Sequence, residues 1–356
     1  MSYPYAVKLI LERYSDLKPE EITRRLRYSS FISIPKRYMY FEVPKAACTK
    51  MKALLRSLEH APPLKLLVPG LRESRRDMFI HARENVPLPS LLDLDDKTQR
   101  EVLESPDFLR ITFVRNPYTR LASSWKNKIL LCEPDQHDVY LKIRGCLPEV
   151  HGKSRIGFEE FIEYIGNHCD LRTCDSHWRR QVDHLFFSAL NFSYVGKIEQ
   201  MDEGLKRFEK HLALSTPLTN DPRNVSNSSA VVYHKNLAEK VYSLYQADFQ
   251  TLGYDRDTWP GIERNPGQAP KEATVREETF ADEVIERNII ILRLYQELDR
   301  VSGGDMGKVY RLQLLVIANA VRALRKLWGT VLSNLKLRIR NVARGKRLRN
   351  TPMIEH

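Results

Sequence analysis

Residues 38–52 read YMYFEVPKAACTKMK, and residues 110–128 read RITFVRNPYTRLASSWKNK. Each stretch opens with a run of aromatic and β-branched residues, the composition of a strand. Each then breaks at a proline, Pro44 or Pro117, and continues with a helical pattern, over about 49–59 in the first and to about 131 in the second. Working outward, FSYVG at 192–196 predicts a third strand, followed by helices at about 202–212 and 238–249. Residues 1–35 read as short helices, with Ser15 or Asp16 as a cap before LKPEEITRRLRY. Strands alternating with helices predict an α/β fold, with a P-loop-like, doubly wound parallel sheet flanked by helices.

Both strand-to-helix turns carry the chemistry of anion binding. In the first, Lys45, Ala46, Ala47, Cys48, Thr49 and Lys50 place a point charge and a hydroxyl at a helix N-terminus, where backbone N–H groups are unsatisfied. In the second, Arg115 offers a planar fork at the strand end, Pro117 suits the first helical turn, and Ser123 lies two turns further on. Two such sites on one sheet imply a ligand with two separated anionic groups. The first turn lacks the glycines of GxxxxGK[ST], and no strand ends in an aspartate suited to magnesium.

Composition narrows the class. The chain has 356 residues, 42% of them apolar, which leaves room for a sizeable core and excludes a wholly disordered chain. No window of about 18 apolar residues is present. The first 21 residues meet charge at Lys8 and Glu12, so neither a spanning helix nor a secretory signal is expected. Five cysteines without zinc-ligand spacing predict a reducing compartment and no metal. The net charge of +12 is concentrated at one end: residues 306–356 hold twelve of the 57 basic residues and one of the 45 acidic residues. The first 305 residues are therefore close to neutral, which argues against a nucleic-acid binder.

The pair PKAACTKMK and FVRNPYTRLASSWKNK resembles the two cofactor motifs of carbohydrate sulfotransferases that use 3'-phosphoadenosine 5'-phosphosulfate (PAPS). DSHWRRQ (175–181), YVGKIE (194–199) and YQADFQTLGY (245–254) resemble three further stretches in the same order, so the likeness spans about 38–255. It implies PAPS as co-substrate, a glycan or glycolipid acceptor and no metal. It also implies that Lys45 and Thr49 hold the 5'-phosphosulfate while Arg115 and Ser123 hold the 3'-phosphate. The Golgi members carry an N-terminal membrane anchor that this sequence does not show, so a cytoplasmic setting, peripheral to a membrane, is expected.

Three questions stay open at this level. His81, in a His-x-Arg context, and His177, in DSHW, are both candidate proton acceptors, with Lys45 as the group that stabilises charge on the bridging oxygen. Trp178, Arg179 and Arg180 either line a sugar site or form a solvated basic turn, and residues 223–229 are a candidate nucleotide loop. Cys48 is either activated by the helix N-terminus or a small filler. Competing functions are a P-loop kinase and a non-catalytic nucleotide-binding scaffold.

The predicted organisation is a sulfotransferase domain at 1–255, a linker at 256–270, a helical extension at 271–304 and a basic helical tail at 305–356. Over 309–342 apolar residues recur every three or four positions opposite a cationic side, the pattern of a helix on an anionic membrane or one packed in a homodimer.

Overall fold

Tyr38–Phe41 (β2) is buried along its whole length, and its side chains alternate between two cores. Tyr38 and Tyr40 join Phe31, Ile111, Phe113 and Met51, whereas Met39 and Phe41 join Ile10, Ile22, Leu26 and Leu103. A sheet buried on both faces must carry helices on both, and it does. In the computed structural model the described residues are 3–62, 80–81, 83–130, 137–146, 156–215, 218 and 233–260, all within one compact unit.

Helices α1 (Tyr5–Leu11) and α2 (Pro19–Ser29) lead into β1 (Ser30–Ser33) and then β2. Helix α3 (Cys48–Leu58) follows β2, and α4 (Asp96–Glu104) precedes β3 (Leu109–Val114). Next come α5 (Pro117–Ser124), which continues into a π-helical turn at Trp125–Leu130, then α6 (His137–Cys146), α7 (Phe158–His168) and α8 (Gln181–His184). The described elements end with β4 (Tyr194–Lys197), α9 (Met201–Leu212) and α10 (Lys235–Leu252).

The sheet runs β1-β2-β3-β4. β2, β3 and β4 are parallel, as the alternating pattern predicts, but β1 pairs antiparallel with β2, with Ser30 opposite Phe41 and Ser33 opposite Tyr38. The sheet is therefore mixed. Among the described residues its order follows the chain, without the reversal that a doubly wound sheet requires. β1 was not legible because the helical stripe of Ile22 and Leu26 runs directly into it, and its four residues become a strand only by pairing. The helix before it starts at Pro19 with Lys18 as cap, so neither Ser15 nor Asp16 has that role.

On one face α9 lies close to the sheet: a Cβ on Gly204 would sit 2.3 Å from the Phe113 ring, a space only glycine leaves open. A third core joins α5, α7 and α10 through Tyr118, Phe161, Trp178, Tyr233 and Tyr245. Arg256 and Thr258, expected at the start of a linker, are bonded to the α5 unit through Tyr118 Oη to the Arg256 carbonyl (2.8 Å) and Asn116 Nδ2 to Thr258 Oγ1 (2.7 Å). The loop at 223–229, the helical extension at 271–304 and the tail at 305–356 lie outside the described residues. Among the described residues no helix is long and apolar enough to cross a membrane.

Candidate active site

The β2–α3 turn has the backbone of an anion cradle without its usual residue. Lys45 and Ala47 take φ values of 68° and 59°, the left-handed region that glycine favours. Non-glycine residues held there cost about 1–3 kcal/mol each and tend to mark functional turns. Ala47 is the left-handed N-cap and Cys48 the first helical residue, the pairing in which successive N–H groups form a concave anion nest. Ala46 is fully buried and its N–H closes the turn on the Val43 carbonyl at 3.1 Å.

The second turn meets the first. Arg115 Nε donates to Thr119 Oγ1 at 3.0 Å and Nη1 to the Lys45 carbonyl at 3.4 Å, so the fork is oriented along the cradle. Burial lowers the Arg115 pKa from its ordinary value while the Glu199 charge opposes the shift. Ser123 lies buried near the end of α5, on the same β3–α5 unit.

The three later stretches supply supports. Gln181 clasps Arg115 from both sides: Oε1 accepts from the Arg115 N–H at 2.9 Å, and Nε2 donates to its carbonyl at 2.8 Å. Asp248 in turn accepts from the Gln181 N–H at 2.8 Å and the Val182 N–H at 2.9 Å. Glu199 accepts from the Asn116 N–H at 2.9 Å and from Tyr254 Oη at 3.0 Å. Buried Arg120 links two loops, donating to the carbonyls of Pro44 (3.0 Å) in one and Arg179 (2.8 Å) and Ser176 (2.8 Å) in the other. None of Gln181, Asp248, Glu199 and Arg120 is assigned by the sequence reading. Asp248 had a signal: it shares a helical face with Val241, Tyr245 and Leu252, all buried, where a carboxylate is out of place unless bonded.

His81 Nε2 is 2.9 Å from Thr49 Oγ1, and Nδ1 is 3.4 Å from Lys52 Nζ. Burial, then the Lys52 charge, pull its pKa to about 4. Lys52 is itself in a buried ion pair with Glu42 at 2.6 Å. Glu42, Cys48 and His81 bring possible ligand atoms within 4.8 Å of one another, and the cation facing that trio is the Lys52 ammonium. The Cys48 thiol is pushed up by burial and by Glu42, so it is not an activated nucleophile. His177 Nδ1 lies 2.7 Å from Asp175 Oδ1.

Trp178 and Arg179 are neither a sugar platform nor a solvated turn. Trp178 is 2% exposed and packs edge-on against Phe161 at 5.4 Å. Arg179 is 3% exposed, pairs with Glu21 at 2.9 Å and donates to the Thr173 and Cys174 carbonyls. Arg180 pairs with Asp183 at 2.6 Å.

Hydrogen bonds thus link all five short stretches. The Sulfotransferase family model matches residues 28–255, well over half of the chain. The chain belongs to the sulfotransferase family. Among curated relatives, carbohydrate sulfotransferase 12 of Mus musculus is 24% identical over 252 residues, covering 61% of this chain and 58% of the relative. Carbohydrate sulfotransferase 9 of Homo sapiens is 24% identical over 238 residues, 61% and 51% of the two chains. Carbohydrate sulfotransferase 8 of Mus musculus is 22% identical over 245 residues, 64% and 56%. The chain therefore spans between half and three-fifths of the length of these relatives. No solved structure gives a significant match.

Proposed function

We propose that this chain moves the sulfuryl group of PAPS to a hydroxyl of a glycan or glycolipid. The observation that carries the reading is the meeting of the two cationic turns, with the Arg115 guanidinium on the Lys45 carbonyl at 3.4 Å. Turns joined in this way suit one ligand with two anionic groups, and an aligned guanidinium recognises a phosphate by charge and direction together. Lys45, Thr49 and the N–H groups from Ala47 to Lys50 hold the 5'-phosphosulfate in a P-loop-like manner; Arg115 and Ser123 hold the 3'-phosphate.

PAPS supplies an activated sulfuryl group whose departure leaves charge on a phosphate oxygen. The protein's task is to position the reactants in line and to stabilise that charge, which falls to Lys45 and the α3 N-terminus. The basic tail, by its pattern, holds the enzyme at an anionic membrane surface in the cytoplasm. The kinase alternative has less support: β3 leads into Arg115, and the carboxylates after β2 and β4, Glu42 and Glu199, are engaged by Lys52 and the Asn116 N–H.

The test is incubation of the full chain with labelled PAPS and a panel of glycan and lipid extracts. Label on a glycan or glycolipid is expected. Label transferred only from ATP with magnesium would replace this reading with a kinase, and no transfer in the presence of bisphosphate binding would replace it with a nucleotide-binding scaffold.

A further inference from the structure

Two histidines stand beside the cofactor turn, and their hydrogen bonds give them opposite proton inventories. Lys52 Nζ has protons to give and no lone pair, so its 3.4 Å contact makes His81 Nδ1 an acceptor. The neutral ring then carries its proton on Nε2 and donates it to Thr49 Oγ1 at 2.9 Å. Such a ring has no vacant lone pair for another proton. The Lys52 ammonium is fixed by Glu42 at 2.6 Å, with both side chains 3% exposed or less, so the arrangement is locked from below. Burial and Lys52, which pull His81 to about 4, keep it neutral.

His177 is arranged in the converse way. Asp175 Oδ1 lies 2.7 Å from Nδ1 and also accepts the His177 backbone N–H at 2.8 Å. Burial raises the Asp175 carboxyl, but the bond from His177 and its charge bring it below its ordinary value, so it accepts at neutral pH. The proton of His177 therefore sits on Nδ1, and Nε2 keeps its lone pair. Its loop is tied to both cofactor turns: Arg120 bridges the Ser176 and Pro44 carbonyls, and Ser124 Oγ donates to the His177 carbonyl at 2.6 Å.

We propose that His177, held by Asp175, takes the proton of the acceptor hydroxyl, and that His81 is a positioning residue that turns the Thr49 hydroxyl toward the donor. This assignment rests on the sulfuryl-transfer reading above. In the step, the acceptor oxygen bonds to sulfur, and the bond from sulfur to the bridging oxygen breaks with its electron pair passing to the phosphate. The acceptor proton moves to His177 Nε2, and the imidazolium formed is paired with Asp175 until it gives the proton to water.

The full chain is tested with labelled PAPS and the acceptor fraction labelled in the extract panel, alongside calorimetry with adenosine 3',5'-bisphosphate. His177→Gln is expected to lower kcat about 100-fold or more with bisphosphate affinity within about twofold. Asp175→Asn, which can donate to Nδ1 and so move the proton to Nε2, is expected to do the same. His177→Ala regains turnover with added imidazole. His81→Gln is expected to raise the KM for PAPS and weaken bisphosphate binding about tenfold while kcat falls less than tenfold. Turnover retained by His177→Gln, or lost in His81→Gln with bisphosphate affinity intact, overturns the assignment while leaving sulfuryl transfer standing. A wild-type chain that binds bisphosphate and labels nothing removes the sulfuryl-transfer reading and this assignment with it. Should a variant fail to fold, nitrogen NMR of the wild type decides: protons on His81 Nε2 and His177 Nδ1 are expected, and the reverse tautomers overturn it.

Discussion

Arg115 is half-buried, with an orientation imposed by its neighbours. Its backbone is clasped by Gln181 and its fork is steered by Thr119 and Lys45. Arg115→Ala should therefore weaken adenosine 3',5'-bisphosphate binding by about 1.5–3 kcal/mol, roughly ten- to a hundredfold, by loss of charged hydrogen bonds. Unchanged affinity by calorimetry would detach Arg115 from the 3'-phosphate. Lys52 poses a different question, because it does its work from below the surface. Lys52→Met leaves Glu42 buried without its cation, which should cost about 3–5 kcal/mol in denaturant unfolding. Lys52→Met with Glu42→Gln should recover much of that loss, since no charge then remains uncompensated; a double variant as unstable as the single would refute the ion-pair account. At this scale the sequence reveals residues whose chemistry is local to a motif, such as Lys45, Thr49 and Arg115. Arg120 and Gln181 stay hidden because their partners lie more than fifty residues away, at Pro44, Ser176 and Arg115.

At the scale of elements, α10 is held to α8 by the bonds of Asp248 to Gln181 and Val182, beneath the Arg115 turn. Burial raises the Asp248 carboxyl to about 6, against the pull of those bonds and of Arg120. An unfolded aspartate titrates near 3.9, so the native state binds this proton more tightly. Its contribution to stability is fully present below about pH 4 and is lost as pH rises through about 6, by about 3 kcal/mol. His81 at about 4, and His184, held well below its ordinary value by burial, act in the opposite sense and favour the native state as pH rises toward 6.5 and beyond. Comparing wild type with Asp248→Asn isolates the carboxyl. The variant's stability relative to wild type should improve by about 2–3 kcal/mol from pH 4 to pH 7, and a constant difference would contradict the raised carboxyl. Helices and strands with long periodic or β-branched runs were readable in advance: β3, α3 and α9 fall within about two residues of their predicted bounds. β1 and the left-handed Lys45 and Ala47 were not, because the former depends on pairing with β2 and the latter put ordinary side chains where glycine is the usual signal.

Over the whole molecule, the division of charge separates the chemistry from its location. The proposed nucleotide site draws on Lys45 and Arg115 within a body of 305 residues that is nearly balanced in charge, while residues 306–356 carry an excess of eleven positive charges. A surface potential of that kind binds anionic lipid with a strength that falls within a Debye length and weakens with salt. The full chain should therefore bind vesicles containing phosphatidylserine and leave them as salt is raised, whereas neutral vesicles should bind little. Arg322→Glu, Arg325→Glu and Lys326→Glu together shift the net charge by −6 within one turn of the stripe and should abolish vesicle binding. The same triple variant should bind adenosine 3',5'-bisphosphate as the wild type does, because the site proposed for it lies in 45–50, 115 and 123. Arg115→Ala should show the inverse pattern, losing the nucleotide and keeping the vesicles. Equal vesicle binding by the triple variant and the wild type would end the membrane reading. A triple variant that instead changes its sedimentation behaviour would assign the stripe to a contact between two copies of the chain.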